Sequence, residues 1–294
     1  MSYNQQADQM RSGQGFVAAL DQSGGSTPKA LAQYGIEADR YANDAEMFDL
    51  VHAMRARIVG APAFNGDKIL GAILFEMTMD REFEGKSVPA YLWEEKGVVP
   101  FLKCDKGLED EVNGAQLLKD MGDLDGLLSR AKGLGVFGTK MRSVIQAANP
   151  VGIADNIAQQ FEIGRQILGH GLMPILEPEV NITIADKAEA EDIVLAEILK
   201  NLDAMDQEVM LKLSLPTKAN LYAPLIAHDK VMRVVALSGG YSRAEANRLL
   251  TENVGMIASF SRGLAEGLSD AQSDADFNAM LSDSIDSIYA ASIT

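Results

Sequence analysis

A single α/β domain, a (β/α)8 TIM barrel with a C-terminal helical tail, is the fold this sequence predicts, on three observations. Eight short apolar runs alternate with longer helical patterns within 294 residues. The runs are rich in β-branched residues and lack polar alternation, as strands buried on both faces do. No linker, low-complexity stretch or composition shift divides the chain, so strand-then-helix repeated eight times reads as one closed unit, 1–294, with 268–294 as its tail.

The expected strands are Gly15–Leu20, Gly71–Met77, Val98–Cys104, Gly135–Met141, Leu172–Pro178, Glu208–Leu215, Lys230–Ser238 and Asn253–Ser261. Amphipathic spacing fills the gaps, with helices over Asp44–Val59, Ala154–Leu168, Lys187–Met205 and Ser242–Leu250. Asp44 and Ser242 are the expected N-caps, the latter with Glu245 three residues on as in a capping box. A polar helix over Asp274–Ala291 is expected outside the barrel or over its mouth.

Composition limits the function classes. The net charge of −16 opposes binding to nucleic acid or to anionic membranes. No stretch is long and apolar enough to span a bilayer, and the first residues carry no basic and apolar signal pattern. One cysteine, Cys104, forms no internal disulfide framework and suits a reducing compartment, so a cytoplasmic location is expected. Oligomeric state, including a homo-oligomer, stays open at this level.

A barrel carries its chemistry at the C-terminal ends of its strands. Those ends hold Asp21, Glu76, Lys103, Lys140 with Arg142, Glu177 with Glu179, Lys212, Ser238-Gly239-Gly240 and Arg262. Five basic groups at one mouth of an acidic protein point to a phosphorylated, anionic substrate.

Lys212 is the sharpest signal, because it interrupts the apolar run Val209–Leu215. An amine in low dielectric tends to lose its proton and becomes a nucleophile able to form an imine with a ketone. Taken alone, that run fits equally well a lysine that snorkels from the strand end. Its neighbours favour the chemical reading. Glu177 can serve as acid for dehydration of a carbinolamine if apolar neighbours raise its pKa. Lys140 facing Lys212 would depress the proton affinity of one amine. Asp21 can accept a proton from the substrate hydroxyl. Taken singly, each carboxylate is equally well a salt-bridge partner for a neighbouring lysine. Gly239-Gly240 ahead of Ser242 offers backbone N–H groups to an anion, and Arg262 ends the eighth strand beside it.

These residues, in chain order, resemble the class I (Schiff-base) fructose-1,6-bisphosphate aldolases, in their shorter bacterial form. The resemblance runs over Leu20–Lys29, Phe101–Gly107, Gly138–Arg142, Pro174–Val180, Lys212, Leu237–Gly240 and Phe260–Arg262. It implies Lys212 as the imine lysine, and Asp21, Lys140, Glu177 and Glu179 as the remaining catalytic side chains. It further implies Lys103, Arg142, Ser238, Gly239, Arg262, Ser23 and Ser26 as substrate- or phosphate-binding positions. The activity implied is reversible cleavage of fructose 1,6-bisphosphate to dihydroxyacetone phosphate and glyceraldehyde 3-phosphate, with no metal or organic cofactor and with sugar phosphates as the only implied partners. The chain departs from the animal enzymes in three places. Ala30 stands where they carry an arginine, Arg262 needs a short gap to align, and the terminal tyrosine of the long form has no counterpart in Tyr289. Another phosphorylated ketose, fructose 1-phosphate or tagatose 1,6-bisphosphate, is therefore the alternative substrate. A non-catalytic sugar-phosphate-binding barrel is the rival of another class.

Other signals are weak. Gly133–Gly138 fits G-x-G-x-x-G but begins a strand instead of following one. Asp274–Asn278 resembles the start of a calcium loop without its glycine and its glutamate. His52, His170 and His228 are dispersed, which disfavours a histidine-held metal at the mouth.

Overall fold

A computed structural model describes residues 3–23 and 27–294. Eight parallel strands form the barrel: β1 (Phe16–Leu20), β2 (Ile69–Leu74), β3 (Val99–Lys103), β4 (Gly138–Ile145), β5 (Met173–Val180), β6 (Val209–Ser214), β7 (Val231–Leu237) and β8 (Ile257–Ala258). Each pairs with the next in chain order, and the Ala19 amide reaches the Phe260 carbonyl at 3.4 Å where β1 meets the end of β8. All eight fall at the expected runs: five lie within them, β2 begins two residues earlier at Ile69, and β4 and β5 run on to Ile145 and Val180. The second differs at its end: β2 stops at Leu74, and Glu76 opens a short helix, Glu76–Met79. Its carboxylate pairs with Lys106 at 2.7 Å and with Arg130 at 2.5 Å, so it is a rim salt bridge and not a strand-end site residue.

The helices occupy the gaps after each strand, among them Asp44–Gly60, Pro150–Gly169, Lys187–Leu202 and Arg243–Thr251. The cap of the first is Asn43, whose side chain accepts the Glu46 amide at 3.0 Å; Asp44 is the first helical residue instead. Asparagine reaches back to that amide from extended backbone, which is the geometry an N-cap needs. Ser242 does cap the helix Arg243–Thr251 by accepting the Glu245 amide. Of the two placements expected for the C-terminal helix, the outside is realised. Asp274–Ser292 packs against Arg243–Thr251, β8 and β1 as the eighth helix of the ring. Ser292 accepts the Ala258 amide at 3.0 Å. Gly133–Gly138 runs from a helix end into the first residue of β4, as its discounted motif required.

Alternation along the strands sorts side chains into two apolar layers. Val17, Ala19, Ile73, Val99, Phe101, Ile175, Met210, Val235 and Ile257 fill the lumen, while the larger set packs between strands and helices. Gly71 and Gly138 make room there. A Cβ at either position would meet the Phe101 ring at about 3 Å. The floor is a helix the sequence pattern did not disclose, Tyr3–Ser12, which inserts Met10 into the lumen cluster. Arg233 on β7 ties its end down, donating to the carbonyls of Met10 (2.9 Å), Arg11 (2.7 Å) and Gly13 (3.0 Å).

Candidate active site

The lumen periodicity places the polar groups. On five strands a charged residue comes two positions beyond an inward one: Ala19 then Asp21, Phe101 then Lys103, Gly138 then Lys140, Ile175 then Glu177, Met210 then Lys212. A strand's period of two puts all five on the inner face, one layer above the apolar plug. One further step brings Arg142 and Glu179.

Four of these groups form one buried network. Lys140 Nζ lies 2.6 Å from Asp21 Oδ2 and 2.9 Å from Glu177 Oε2, and Lys212 Nζ lies 3.1 Å from Glu177 Oε1. Glu177 thus bridges the two lysines, one on each oxygen. All four side chains are nearly inaccessible, between 3% and 9% exposed. Burial alone would raise the Asp21 carboxyl, but Lys140, Lys212 and Lys103 hold it well below the usual carboxylate range. Burial alone would lower Lys140, yet Asp21, Glu177 and Asp105 hold its ammonium above the usual lysine range.

A second tier surrounds them. Lys103 Nζ sits 2.5 Å from Asp105 Oδ1, the Arg142 amide donates to Asp105 Oδ2 at 3.1 Å, and the Arg142 guanidinium pairs with Glu179. Asp105 was absent from the expected site. The signal for it was its place two residues after Lys103 in Lys103-Cys-Asp-Lys-Gly107, a step that returns to the same side of the chain. Cys104, between them, faces the core, and burial pushes its thiol up to about 12.

The expected gathering of positive charge therefore takes a different form. Lys103, Lys140, Arg142 and Lys212 each pair with a carboxylate, from Asp21, Asp105, Glu177 and Glu179: four cations against four anions. Arg262 alone of the five mouth cations makes no ion pair among the described residues. It stands beside the turn after β7, where a Cβ on Gly240 would lie 3.5 Å from its guanidinium. That turn requires glycine, with φ of +59° at Gly239 and +122° at Gly240, and a Cβ on Gly239 would meet Ile182 at 2.6 Å. Ser238 is buried at its start. The glycine turn, the helix start at Ser242 and the Arg262 guanidinium, which pairs with no carboxylate among the described residues, lie together in an arrangement suited to a phosphate. Of the two serines in the first loop, Ser23 is half-buried next to this end of β1, and Ser26 lies outside the described residues.

The histidines are apart from this mouth. His170 precedes β5 and pairs with Asp125, His228 precedes β7, and His52 lies on the helix Asp44–Gly60.

Comparisons with known proteins identify the family. The model of the glycolytic family "Fructose-bisphosphate aldolase class-I" matches residues 3–224. A fructose-bisphosphate aldolase class 1 from Porphyromonas gingivalis is 57% identical over 289 residues, covering 98% of this chain and 99% of that protein. Among solved structures, a fructose-bisphosphate aldolase from Plasmodium falciparum superposes with a TM-score of 0.79 at 20% identity, over 98% of this chain and 93% of that one. An archaeal fructose-1,6-bisphosphate aldolase, solved with its catalytic lysine bound to a carbinolamine intermediate, superposes at 0.54 and 12% identity, over 98% of this chain and 100% of that one. Those two likenesses concern the fold. The family match and the 57% identity extend further, and by them the chain belongs to the class I fructose-bisphosphate aldolases.

Proposed function

We propose that this protein reversibly cleaves fructose 1,6-bisphosphate to dihydroxyacetone phosphate and glyceraldehyde 3-phosphate through an imine on Lys212. The observation that carries the reading is the buried quartet of Asp21, Lys140, Glu177 and Lys212 at the barrel mouth. A binding module has no use for two ammonium groups and two carboxylates stripped of water.

The steps follow from the chemistry of these groups. The Lys212 amine, its proton released, adds to the C2 ketone to give a carbinolamine. Glu177, within reach of the same nitrogen, gives a proton to the leaving hydroxyl, and water departs to leave the protonated imine. The imine draws the C3–C4 electron pair to itself as an enamine while Asp21 takes the proton from the C4 hydroxyl, so glyceraldehyde 3-phosphate leaves as the aldehyde. Protonation at C3 and hydrolysis of the imine return Lys212 and release dihydroxyacetone phosphate. Because the iminium is itself the electron sink, the scheme calls on no metal and no organic cofactor.

Lys140, cationic between Asp21 and Glu177, pairs with both carboxylates and holds one on each side. Ser238, Gly239 and Arg262 take one phosphate; Lys103, Arg142, Glu179 and Ser23 line the rest of the substrate path, and Ser26 is assigned to substrate binding by the family resemblance alone. A second phosphorylated ketose is favoured by one observation, Ala30, which offers no charge where the animal enzymes of the family have arginine. Specificity constants for fructose 1,6-bisphosphate, fructose 1-phosphate and tagatose 1,6-bisphosphate test the reading. The bisphosphate of fructose is expected to lead, and a lead for either rival would move the substrate assignment to it.

A further inference from the structure

We propose that Arg55 is a positioning residue for the cleavage step, clamping the Asp21–Gln22 segment so that the Asp21 carboxylate is held against Lys140. The inference rests on the role given above to Asp21.

Arg55 projects from the helix Asp44–Gly60 and is only 3% exposed. It makes no ion pair among the described residues. A guanidinium stripped of water with no carboxylate in contact destabilises a fold, so stability alone gives little reason for it. Its hydrogen bonds supply another reason. One terminal nitrogen donates to the Gln22 backbone carbonyl, directly after Asp21, and the other donates to Thr78 Oγ1 at 2.8 Å. Gln22 continues the chain through its side-chain amide, which donates to Ser261 Oγ at 2.6 Å, next to Arg262. Arg55 is thus the middle of a rail running from the short helix Glu76–Met79, through the residue that follows Asp21, to Ser261 beside Arg262 at the end of β8.

The planar fork makes this possible, since its two terminal nitrogens reach two fixed acceptors at once while a lysine offers a single point charge. Burial lowers the Arg55 pKa to about 10, and the nearby Asp21 charge acts to raise it. The clamp therefore also lends Asp21 a further positive neighbour, beyond Lys140, Lys212 and Lys103.

The experiment compares Arg55→Met, Arg55→Lys and Asp21→Asn in the full chain. It reads kcat and KM for fructose 1,6-bisphosphate, and the borohydride-trapped adduct formed with dihydroxyacetone phosphate. For Arg55→Met, kcat is expected to fall roughly 10- to 100-fold, the scale of a small misplacement of a reacting group. KM should stay within about threefold, and the trapped adduct should form to the wild-type extent. Arg55→Lys, which keeps the charge, recovers part of kcat. An unchanged kcat in Arg55→Met would overturn the proposal, as would a parallel loss of cleavage and adduct, the mark of a merely structural role. Asp21→Asn separates the two readings. If it retains cleavage, the role of Asp21 itself fails; if it is inactive while Arg55→Met is fully active, only the clamp fails. Should Arg55→Met not fold, Thr78→Val removes one anchor alone. A several-fold lower kcat at constant KM supports the clamp, and full activity refutes it.

Discussion

Lys140 is held by two carboxylates and Glu177 by two ammonium groups, so no member of the quartet can change charge without consequence for the others. Asp21 gives the most direct test of that coupling. Its folded carboxyl is held below the ordinary value of 3.8, so its stabilising contribution is complete above about pH 4 and disappears as pH falls through the depressed folded value. Asp21→Asn should therefore cost about 1.5–3 kcal/mol at pH 7, the worth of a charged hydrogen bond, because Glu177 still neutralises Lys140. Urea unfolding should show that gap constant from pH 7 to pH 5 and narrowing below about pH 4. A gap that widened on acidification would contradict the coupling.

At the scale of elements, the barrel was legible because every strand is buried on both faces, which leaves an unbroken apolar run that no surface helix imitates. The inward positions Asp21, Lys103, Lys140, Glu177 and Lys212 were legible for the same reason, each being a charge within or at the end of such a run. The floor helix Tyr3–Ser12 escaped notice because only Gln6 and Met10 of its ten residues are buried, too few to make a stripe. Its place depends on a distant residue, Arg233, and on a lumen that exists only once the barrel closes. Met10, fully buried at that floor, is nonetheless integral to the core. Met10→Ala is expected to cost about 2–4 kcal/mol in urea unfolding. The kcat should be nearly unchanged, since the floor lies a full layer below Lys212. A loss of activity without a loss of stability would mean the floor reaches the chemistry by a route absent from this packing.

For the molecule as a whole, a chain of net charge −16 must admit a doubly phosphorylated sugar. Counting basic residues at strand ends suggested a positive mouth, yet four of the five are matched one for one by carboxylates. That pairing was not legible in the sequence, because Asp21 at the end of β1 meets Lys140 on β4 only when the closed barrel brings non-adjacent strands to face each other across its lumen. On the proposed assignment, Arg262 and the glycine turn after β7 are left to attract the phosphate against the overall field. Screening shortens to about 10 Å at 0.1 M salt, so added salt weakens both this local attraction and the longer-range repulsion. The contact with Arg262 is the closer of the two, and KM for fructose 1,6-bisphosphate should rise several-fold between 50 and 300 mM salt while kcat holds. A KM that fell with salt would mean that the net negative field, and not Arg262, dominates entry.

The central claim is that Lys212 becomes covalently bonded to substrate. Incubation with dihydroxyacetone phosphate, reduction with borohydride and peptide mapping by mass spectrometry tests it most directly. A single reduced adduct on Lys212, absent from Lys212→Met, is the predicted result. A folded protein that yields no adduct, or one whose adduct maps to Lys140, would contradict it.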